Sequence, residues 1–294
     1  TIARLEEGAW RVYGEKWFCS NADAKITLMM ARPEGAVEGT RGLALFALPR
    51  DLEDGSPNNY RIVRLKDKLG TRSMASGEVI LDGAVAYPIG PLDRGIHQML
   101  EMINWSRLSN GIKSSGLMRR AVHDAMAVMQ GREVFGVPLQ QKPLARRQMM
   151  KIALPAEQSL SLWFFIADVL DRAEGYGGQP RSQEAAALLR LATPVLKFRA
   201  TRDGRKVTGD AMEMRGGIGY VEEWVNPRLV RDAHLGSIWE GTSNIVALDA
   251  VTRAVAKHDC HAPFQAALHA RLDEAEGVPT DYLDELRGYV DRAV

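Results

Sequence analysis

The sequence has only two cysteines, Cys19 and Cys260, among 294 residues. So few thiols exclude a disulfide framework, and the simplest expectation is a reducing compartment, the cytoplasm. Uninterrupted apolar runs of about 18 residues are also missing, which argues against a membrane-spanning helix and a membrane partner. Charge of one sign is not in excess, because 38 Lys and Arg face 37 Asp and Glu for a net charge of +1. Nothing in this balance requires a nucleic acid as partner.

Two catalytic signatures are absent as well. The sequence contains neither GxSxG nor HExxH, so nucleophile-elbow and zincin hydrolases are not indicated. Residues 258–261 (HDCH) are metal-ligand types, but a structural zinc site needs four placed ligands and a second cluster is missing. We therefore predict a solvated loop at 258–261 and no metal site. The hydrophobic fraction of 46% and the charged fraction of 26% are those of a globular protein.

The first part of the chain has the pattern of β-structure. Residues 1–8 lack the features of a signal peptide and resemble the middle of a strand, which indicates a fragment or a processed chain. Short apolar runs at 26–31 and 43–48 alternate with turn-rich stretches. Asp82-Gly83, between EVIL and VAY, predicts a two-residue hairpin turn. Five or six such strands indicate a small barrel or sandwich.

After Gly95 the apolar period becomes helical. Broad apolar faces predict long helices around 95–131, 148–173, 182–214 and 242–257, which together form an antiparallel bundle. Pro155 and Pro194 are expected to kink or interrupt their helices. The fold class is therefore α+β.

Three regions follow from these patterns. We predict a middle β-domain at 1–92, a four-helix bundle at 93–257 and an acidic helical extension at 258–294. The extension is acidic because Asp and Glu outnumber Arg and Lys there. Its apolar stripe predicts two short helices that dock on the bundle or on a segment outside the chain.

Glu240 in SIWEGTSNI is the first candidate for chemistry. A carboxylate between Trp239 and Gly241 has an aromatic wall and a flexible neighbour, which suits a general base. A glutamate at the start of a helix is also favourable to the helix dipole. Spacing alone favours this structural interpretation.

Two further motifs also have two interpretations. Gly216, Gly217 and Gly219 in RGGIGY would let a ligand approach the backbone, or would simply end a helix. Arg132 and Phe135 in REVFGVPL follow a predicted helix end, where the arginine could bind a phosphate or face the helix dipole. Each motif alone favours the structural interpretation.

Two basic clusters could follow the phosphates of a nucleic acid. The near-zero total charge instead favours solvated helix faces for both. They consist of Lys142, Arg146, Arg147 and Lys151, and of Lys197, Arg199, Arg202, Arg205 and Lys206.

Taken together and in their order along the chain, the motifs favour a functional interpretation instead. GEKWFCSN, KLGTRSMAS, REVFGVPL, RGGIGY and IWEGTSNI follow one another in an arrangement that resembles the acyl-CoA dehydrogenase family over about residues 1–257. The resemblance implies the family's middle β-domain and C-terminal four-helix bundle without its N-terminal helical domain, in line with a fragment. Within the family, the motifs are most similar to the AidB-like branch, which is associated with the response to DNA alkylation.

The resemblance also implies an FAD site. Phe18 would cover the flavin ring, and Ser20 would bind near its N5. Arg132 would meet the pyrophosphate and Phe135 the adenosine, both reaching across from the neighbouring subunit in the family. Glu213 replaces a family glutamine. The further implied FAD contacts are Gly216, Gly217, Gly219, Thr242 and Asn244.

Glu240 matches the family's catalytic base. A minority of the family supplies the base from the position of Ser106, which is no carboxylate here. Arg107 and Gly241 are implied to adjoin the substrate. The implied activity is α,β-dehydrogenation of an acyl-CoA by a homodimer or homotetramer, with an electron-transfer flavoprotein as acceptor. FAD is expected to bind weakly or not at all to this fragment alone.

Two alternatives stay open. The first is an AidB-like flavoprotein whose main role is DNA binding or protection, with little dehydrogenase turnover. The second is an inactive paralogue, against which the retention of Glu240 argues.

Overall fold

Six strands form the first part of the protein. A computed structural model describes residues 1–293, and they divide into two compact units, the first covering 1–105 and the second beginning at Ser106. The sheet order is β2-β1-β3-β4-β6-β5, and β2 also pairs with β6, so five of the strands close into a barrel. The strands are β1 Ile2–Glu6, β2 Ala9–Ser20, β3 Ile26–Pro33, β4 Ala44–Pro49, β5 Tyr60–Leu65 and β6 Ser76–Pro88.

The predicted β-barrel is thus confirmed. Its interior is filled by inward-facing apolar side chains, among which Ala3, Val12, Ala44 and Phe46 are completely buried. Pairing is antiparallel apart from β1 with β3.

The hairpin predicted at Asp82-Gly83 is wrong. Strand β6 runs through both residues, and both of its halves pair with β2. The register shifts there between Val12 and Tyr13, and Gly83 has a φ of 75°. An Asp-Gly pair therefore forms a β-bulge here, because the extra residue with positive φ is absorbed within one strand rather than reversing it.

Helices form the remainder of the described chain. A two-strand hairpin, β7 Glu133–Val134 with β8 Val137–Pro138, separates α1 from α2. A π-helical stretch, Ala250–Val255, continues α5. The helices are α1 Gly95–Gly131, α2 Pro143–Glu174, α3 Gln183–Arg215, α4 Val225–Gly236, α5 Ser243–Asp249, α6 His261–Asp273 and α7 Thr280–Arg292.

The helical bundle is confirmed, with α3 at its centre. This helix packs against α2, α4, α5 and α6, and the shared core includes the fully buried Met118, Ile152, Ile166 and Leu196. Neither Pro155 nor Pro194 ends its helix, so neither residue interrupts it, while a kink at either residue stays a prediction. A proline removes one helical hydrogen bond, and side-chain packing on either side keeps the helix intact.

The tail holds the two short helices α6 and α7. Helix α6 packs on α3, and its Phe264 contacts the bundle core. The region boundaries at 92 and 257 stay predictions. No helix among residues 1–293 has the length and apolar character that crossing a membrane requires.

Candidate active site

Glu240 lies in the connection between α4 and α5, residues 237–242, which we name the Glu240 turn. Glu240 has a φ of 54° and Gly241 a φ of 97°. A left-handed conformation costs a residue with a Cβ about 1–2 kcal/mol. Tertiary contacts must therefore hold Glu240 in place.

Two buried cations supply those contacts. Arg107 of α1 donates from Nε to the carbonyl oxygen of Glu240 at 3.1 Å. Lys197 of α3 donates from Nζ to the carbonyl oxygen of Gly241. Arg107 is 6% exposed and Lys197 0%. Two consecutive carbonyls of the turn are thus bonded to two different helices.

Asp249 of α5 braces this arrangement. It accepts from Nη1 of Arg107 at 2.7 Å and from Nη2 of Arg190 at 2.8 Å. Burial by itself would raise the pKa of Asp249, but the hydrogen bonds from Arg190 and Arg107 outweigh it and hold the pKa below its ordinary value. The carboxylate therefore stays ionised and fixes Arg107.

The interpretation of Lys197 as part of a solvated basic face is wrong. Its neighbours Arg199, Arg202 and Lys206 are exposed, but Lys197 points into the bundle. Sequence reasoning also missed Arg190 and Asp249. A usable signal was the helical spacing of Lys197 with the apolar residues of α3, which places it on the buried side.

The carboxylate of Glu240 is half-buried and forms no ion pair or side-chain hydrogen bond with any described residue. Its backbone N–H is also without a partner among residues 1–293. Trp239, beside it, stacks under the ammonium of Lys113, 5.0 Å from the ring centroid. Thr242 and Asn244 are exposed at the start of α5. A free acceptor and a free donor thus occur on one residue.

The Gly216–Gly219 loop, residues 216–219, follows α3. Gly216 has a φ of 74° and donates its N–H to the carbonyl of Glu213, which is exposed. A Cβ on Gly219 would lie 2.3 Å from the carbonyl oxygen of Met212, so only glycine fits. At Gly217 the same space is open.

An ionic network anchors this loop. Arg215 donates to Asp124 at 2.7 Å, and Asn226 donates to the same carboxylate at 2.9 Å. The guanidinium of Arg215 stacks on Trp224 at 4.0 Å. The loop is therefore fixed at both of its ends.

Arg132 and Phe135 belong to the hairpin beside this loop. Phe135 and Gly136 form its two-residue turn with φ values of 52° and 75°, as a type I′ turn requires. Phe135 at the tip is 96% exposed. A Cβ on Gly216 would lie 3.5 Å from Nη1 of Arg132, so the structure brings these two motifs together.

Phe18 and Ser20 lie at the end of β2 in the first unit, and both are exposed. A register shift between Lys16 and Cys19 places Trp17 and Phe18 on a bulge opposite β6. The ammonium of Lys66 lies 5.0 Å from the Phe18 ring centroid. The bulge therefore presents an aromatic ring at the surface of the unit.

The residues predicted to bind FAD are of the chemical types that a flavin adenine dinucleotide requires. The guanidinium of Arg132 has no ion pair within residues 1–293, which leaves it available to a phosphate. Gly217 leaves open space next to it, and Phe135 offers an exposed ring for stacking.

Comparisons with known proteins agree with this architecture. The family model described as "Acyl-CoA dehydrogenase, C-terminal domain" matches residues 93–256, and "Acyl-CoA dehydrogenase, middle domain" matches residues 1–84. The chain therefore belongs to the acyl-CoA dehydrogenase family.

Three relatives illustrate the similarity. "Putative acyl-CoA dehydrogenase AidB" of Escherichia coli (strain K12) is 39% identical over 99% of this chain and 49% of its own length. "Acyl-CoA dehydrogenase family member 11" of Caenorhabditis elegans is 38% identical over 84% of this chain and 40% of its own length. The crystal structure of Caenorhabditis elegans ACDH-11 in complex with C11-CoA superposes with a TM-score of 0.84 at 36% identity, covering 93% of this chain and 46% of that one. The chain thus spans about half the length of the curated relatives it matches.

Proposed function

We propose that the protein catalyses FAD-dependent α,β-dehydrogenation of an acyl-CoA thioester, with Glu240 as the base that removes the α-proton. The observation that carries this proposal is the geometry of Glu240. Its carboxylate is half-buried and unpaired within the described chain, on a turn held by Arg107 and Lys197. Such a carboxylate is free to accept a proton from a bound substrate.

The α-proton of a thioester is weakly acidic, so its carbonyl must be polarised by fixed donors. The backbone N–H of Glu240 is one available donor, since no described residue accepts from it. The proton passes from Cα to the Glu240 carboxylate while Cβ gives up a hydride, and the carbon–carbon double bond forms. FAD, when bound, supplies the acceptor for that hydride.

FAD binding is part of the proposal. Arg132, Phe135 and the Gly216–Gly219 loop would hold the pyrophosphate and adenosine side, with Phe18 and Ser20 at the flavin ring. Glu213, Thr242 and Asn244 would complete the contacts, and Arg107 and Gly241 would adjoin the substrate. We also keep as proposals the weak FAD binding of these 294 residues alone and an electron-transfer flavoprotein as acceptor.

A CoA thioester as substrate class is supported by the Caenorhabditis relative, whose structure contains C11-CoA. The cytoplasm as location is supported by the two cysteines, which are both free thiols.

A homodimer or homotetramer is proposed as the working assembly. The hairpin tip with Phe135 projects its ring away from its own chain, and the resemblance has this motif cross to a neighbouring subunit. Light scattering of the flavin-loaded protein measures the assembly directly. A monomer with full flavin occupancy would contradict this proposal.

DNA binding with little turnover is the second candidate. The first of the two basic clusters supports it, because its residues Arg146, Arg147 and Lys151 in α2 are exposed and without ion pairs among residues 1–293. The second basic cluster, in α3, opposes it, because Arg199 pairs with Asp203 at 2.8 Å and Lys206 pairs with Asp210 at 3.7 Å. Acyl-CoA dehydrogenation is therefore the function that we favour.

Glu240→Gln tests the main proposal. The amide is nearly isosteric but takes no proton, so anaerobic bleaching of the flavin by an acyl-CoA should slow by about 10²–10⁴-fold. The assay uses the protein at its full natural length, loaded with FAD, and a panel of acyl chain lengths.

Glu38→Gln is the matched control, because Glu38 is exposed and forms no ion pair with a described residue. It should bleach at the wild-type rate. Wild-type bleaching by Glu240→Gln would remove Glu240 as the base. A wild type that bleaches with no acyl-CoA, yet binds DNA with a steep salt dependence, would favour the second candidate.

A further inference from the structure

Lys197 is the most unusual charged residue of the second unit. Lysine is almost never fully buried unless it is paired, yet this side chain is 0% exposed. It forms no ion pair with a carboxylate of the described chain, and its partner is the backbone carbonyl of Gly241. The buried Lys197 ammonium therefore stabilises the backbone of the Glu240 turn by a hydrogen bond to a carbonyl oxygen.

Arg107 does the same one residue earlier. It bonds the carbonyl of Glu240 at 3.1 Å, while Asp249 fixes its other nitrogen at 2.7 Å. Peptide groups are planar and trans, so a carbonyl that points to one side directs the following N–H to the other. The N–H groups of Gly241 and Thr242 therefore point away from the two cations, and neither has a backbone partner among residues 1–293.

The charged groups around Lys197 have opposite effects on its pKa. The pKa of Lys197 is lowered to about 8, first by burial and then by the positive charge of Arg107, while the carboxylate of Glu240 opposes the shift. Arg107 is in turn balanced by Asp249, which also binds Arg190. Glu240 is thus the carboxylate that attracts Lys197.

We propose that Lys197 is a positioning residue, which together with Arg107 clamps the Glu240 turn and sets where the Glu240 carboxylate stands. Lys197 does not touch the reacting atoms. Its catalytic consequence rests on the proposed function, whereas the clamp itself concerns only this chain.

Lys197→Met tests the clamp, because it keeps the aliphatic stem and removes both the charge and the donor. Thr208→Val is the matched control. Thr208 is a buried polar residue of the same helix, and its hydroxyl donates to Gly204 at 2.7 Å, outside the clamp. Lys197→Gln, which keeps a donor on a shorter side chain, serves if the methionine variant does not fold.

Two measurements are made on each variant at its full natural length. Hydrogen exchange at the hydrogen-bonded amides of the turn and its exit, those of residues 238, 239 and 246, should become at least about tenfold faster in Lys197→Met, because the turn loses one of its two clamps. With acyl-CoA as substrate, kcat should fall by about 10²-fold, as expected for a misplaced catalytic group, with a much smaller change in KM. Thr208→Val should leave both the exchange of residues 238, 239 and 246 and kcat as in the wild type.

Unchanged exchange at residues 238, 239 and 246 in Lys197→Met overturns the clamp. Faster exchange with unchanged kcat overturns the positioning role, because the contact would then be structural only. A wild type that turns over no acyl-CoA refutes the proposed function instead, and the exchange comparison alone then decides the clamp.

Discussion

The Glu240 turn and the Gly216–Gly219 loop both join helices of the second unit, yet they are stabilised in different ways. The loop has its shape from glycines, since Gly219 leaves no space for a Cβ and Gly216 has a positive φ. The turn carries a positive φ on a glutamate, and Arg107 and Lys197 hold it from α1 and α3. The ends of the loop are also anchored to Asp124 of α1, through Arg215 and Asn226. The difference is that glycines supply the positive φ of the loop, whereas contacts from other helices hold the positive φ of Glu240.

The comparison predicts different responses to mutation. Changes at Arg107, Lys197 or Asp249 should affect the Glu240 turn and spare the loop, and changes at the glycines of the loop should do the reverse.

Asp249→Asn is expected to have the largest effect on stability. It leaves the guanidinium groups of Arg107 and Arg190 without their shared carboxylate, and breaking a buried ion pair costs about 3 kcal/mol. Denaturant unfolding measures this loss. Hydrogen exchange should rise at the bonded amides of residues 238, 239 and 246 and stay unchanged at that of Gly216. A rise at both places would show that the turn and the loop are not stabilised independently.

Gly219→Ala should disrupt the loop. The added Cβ would lie 2.3 Å from the Met212 carbonyl, and overpacking of this kind costs about 1–3 kcal/mol. FAD affinity, measured by fluorescence quenching on titration, should fall with it. Gly217→Ala is the control for stability alone, because the space at its Cβ is open and its φ is not positive, but Gly217 is itself a proposed FAD contact. Equal effects of the two substitutions would show that steric fit does not govern the loop.

The pH dependence of stability isolates Lys197. Its pKa of about 8 lies below the ordinary 10.5, so the unfolded chain holds more protons between these values. Wild-type stability should therefore rise relative to Lys197→Met as pH increases from 8 to 10.5, by at most about 1.4 kcal/mol per pH unit. Denaturant midpoints of both proteins across this range measure the difference. A constant difference would mean that folding does not lower the pKa of Lys197.

Glu213→Gln should have the smallest effect. Glu213 is exposed and forms no ion pair with a described residue, so stability should change by less than about 0.5 kcal/mol. Removing a negative charge near an FAD pyrophosphate should raise FAD affinity, by about threefold for 0.6 kcal/mol. Glu38→Gln, titrated in the same way, should leave the affinity unchanged.

Local patterns were sufficient for much of the architecture. The strand runs and the broad apolar helix faces each depend on residues close in sequence, where periodicity acts. Asp82-Gly83 was misinterpreted for the same reason, because a hairpin turn and a bulge need the same residues. Only the pairing of both flanks with β2 distinguishes the two.

The candidate site divides in the same way. Ordered motifs along the sequence indicated the family and pointed to Glu240, Arg132 and the glycines of the loop. In the sequence, Lys197 has the pattern of one of several surface bases, and no motif indicated a role for Asp249 or Arg190.

By itself, the sequence determined the fold class, the long helices, the family and which carboxylate to suspect, because these depend on short-range patterns and ordered motifs. Tertiary structure alone decided that Lys197 is buried, that Arg107 and Asp249 meet, and that a glutamate can hold a left-handed conformation. The physical reason is that burial and ion pairing depend on residues such as Arg107 and Asp249, which are far apart in sequence and meet only when α1, α3 and α5 pack.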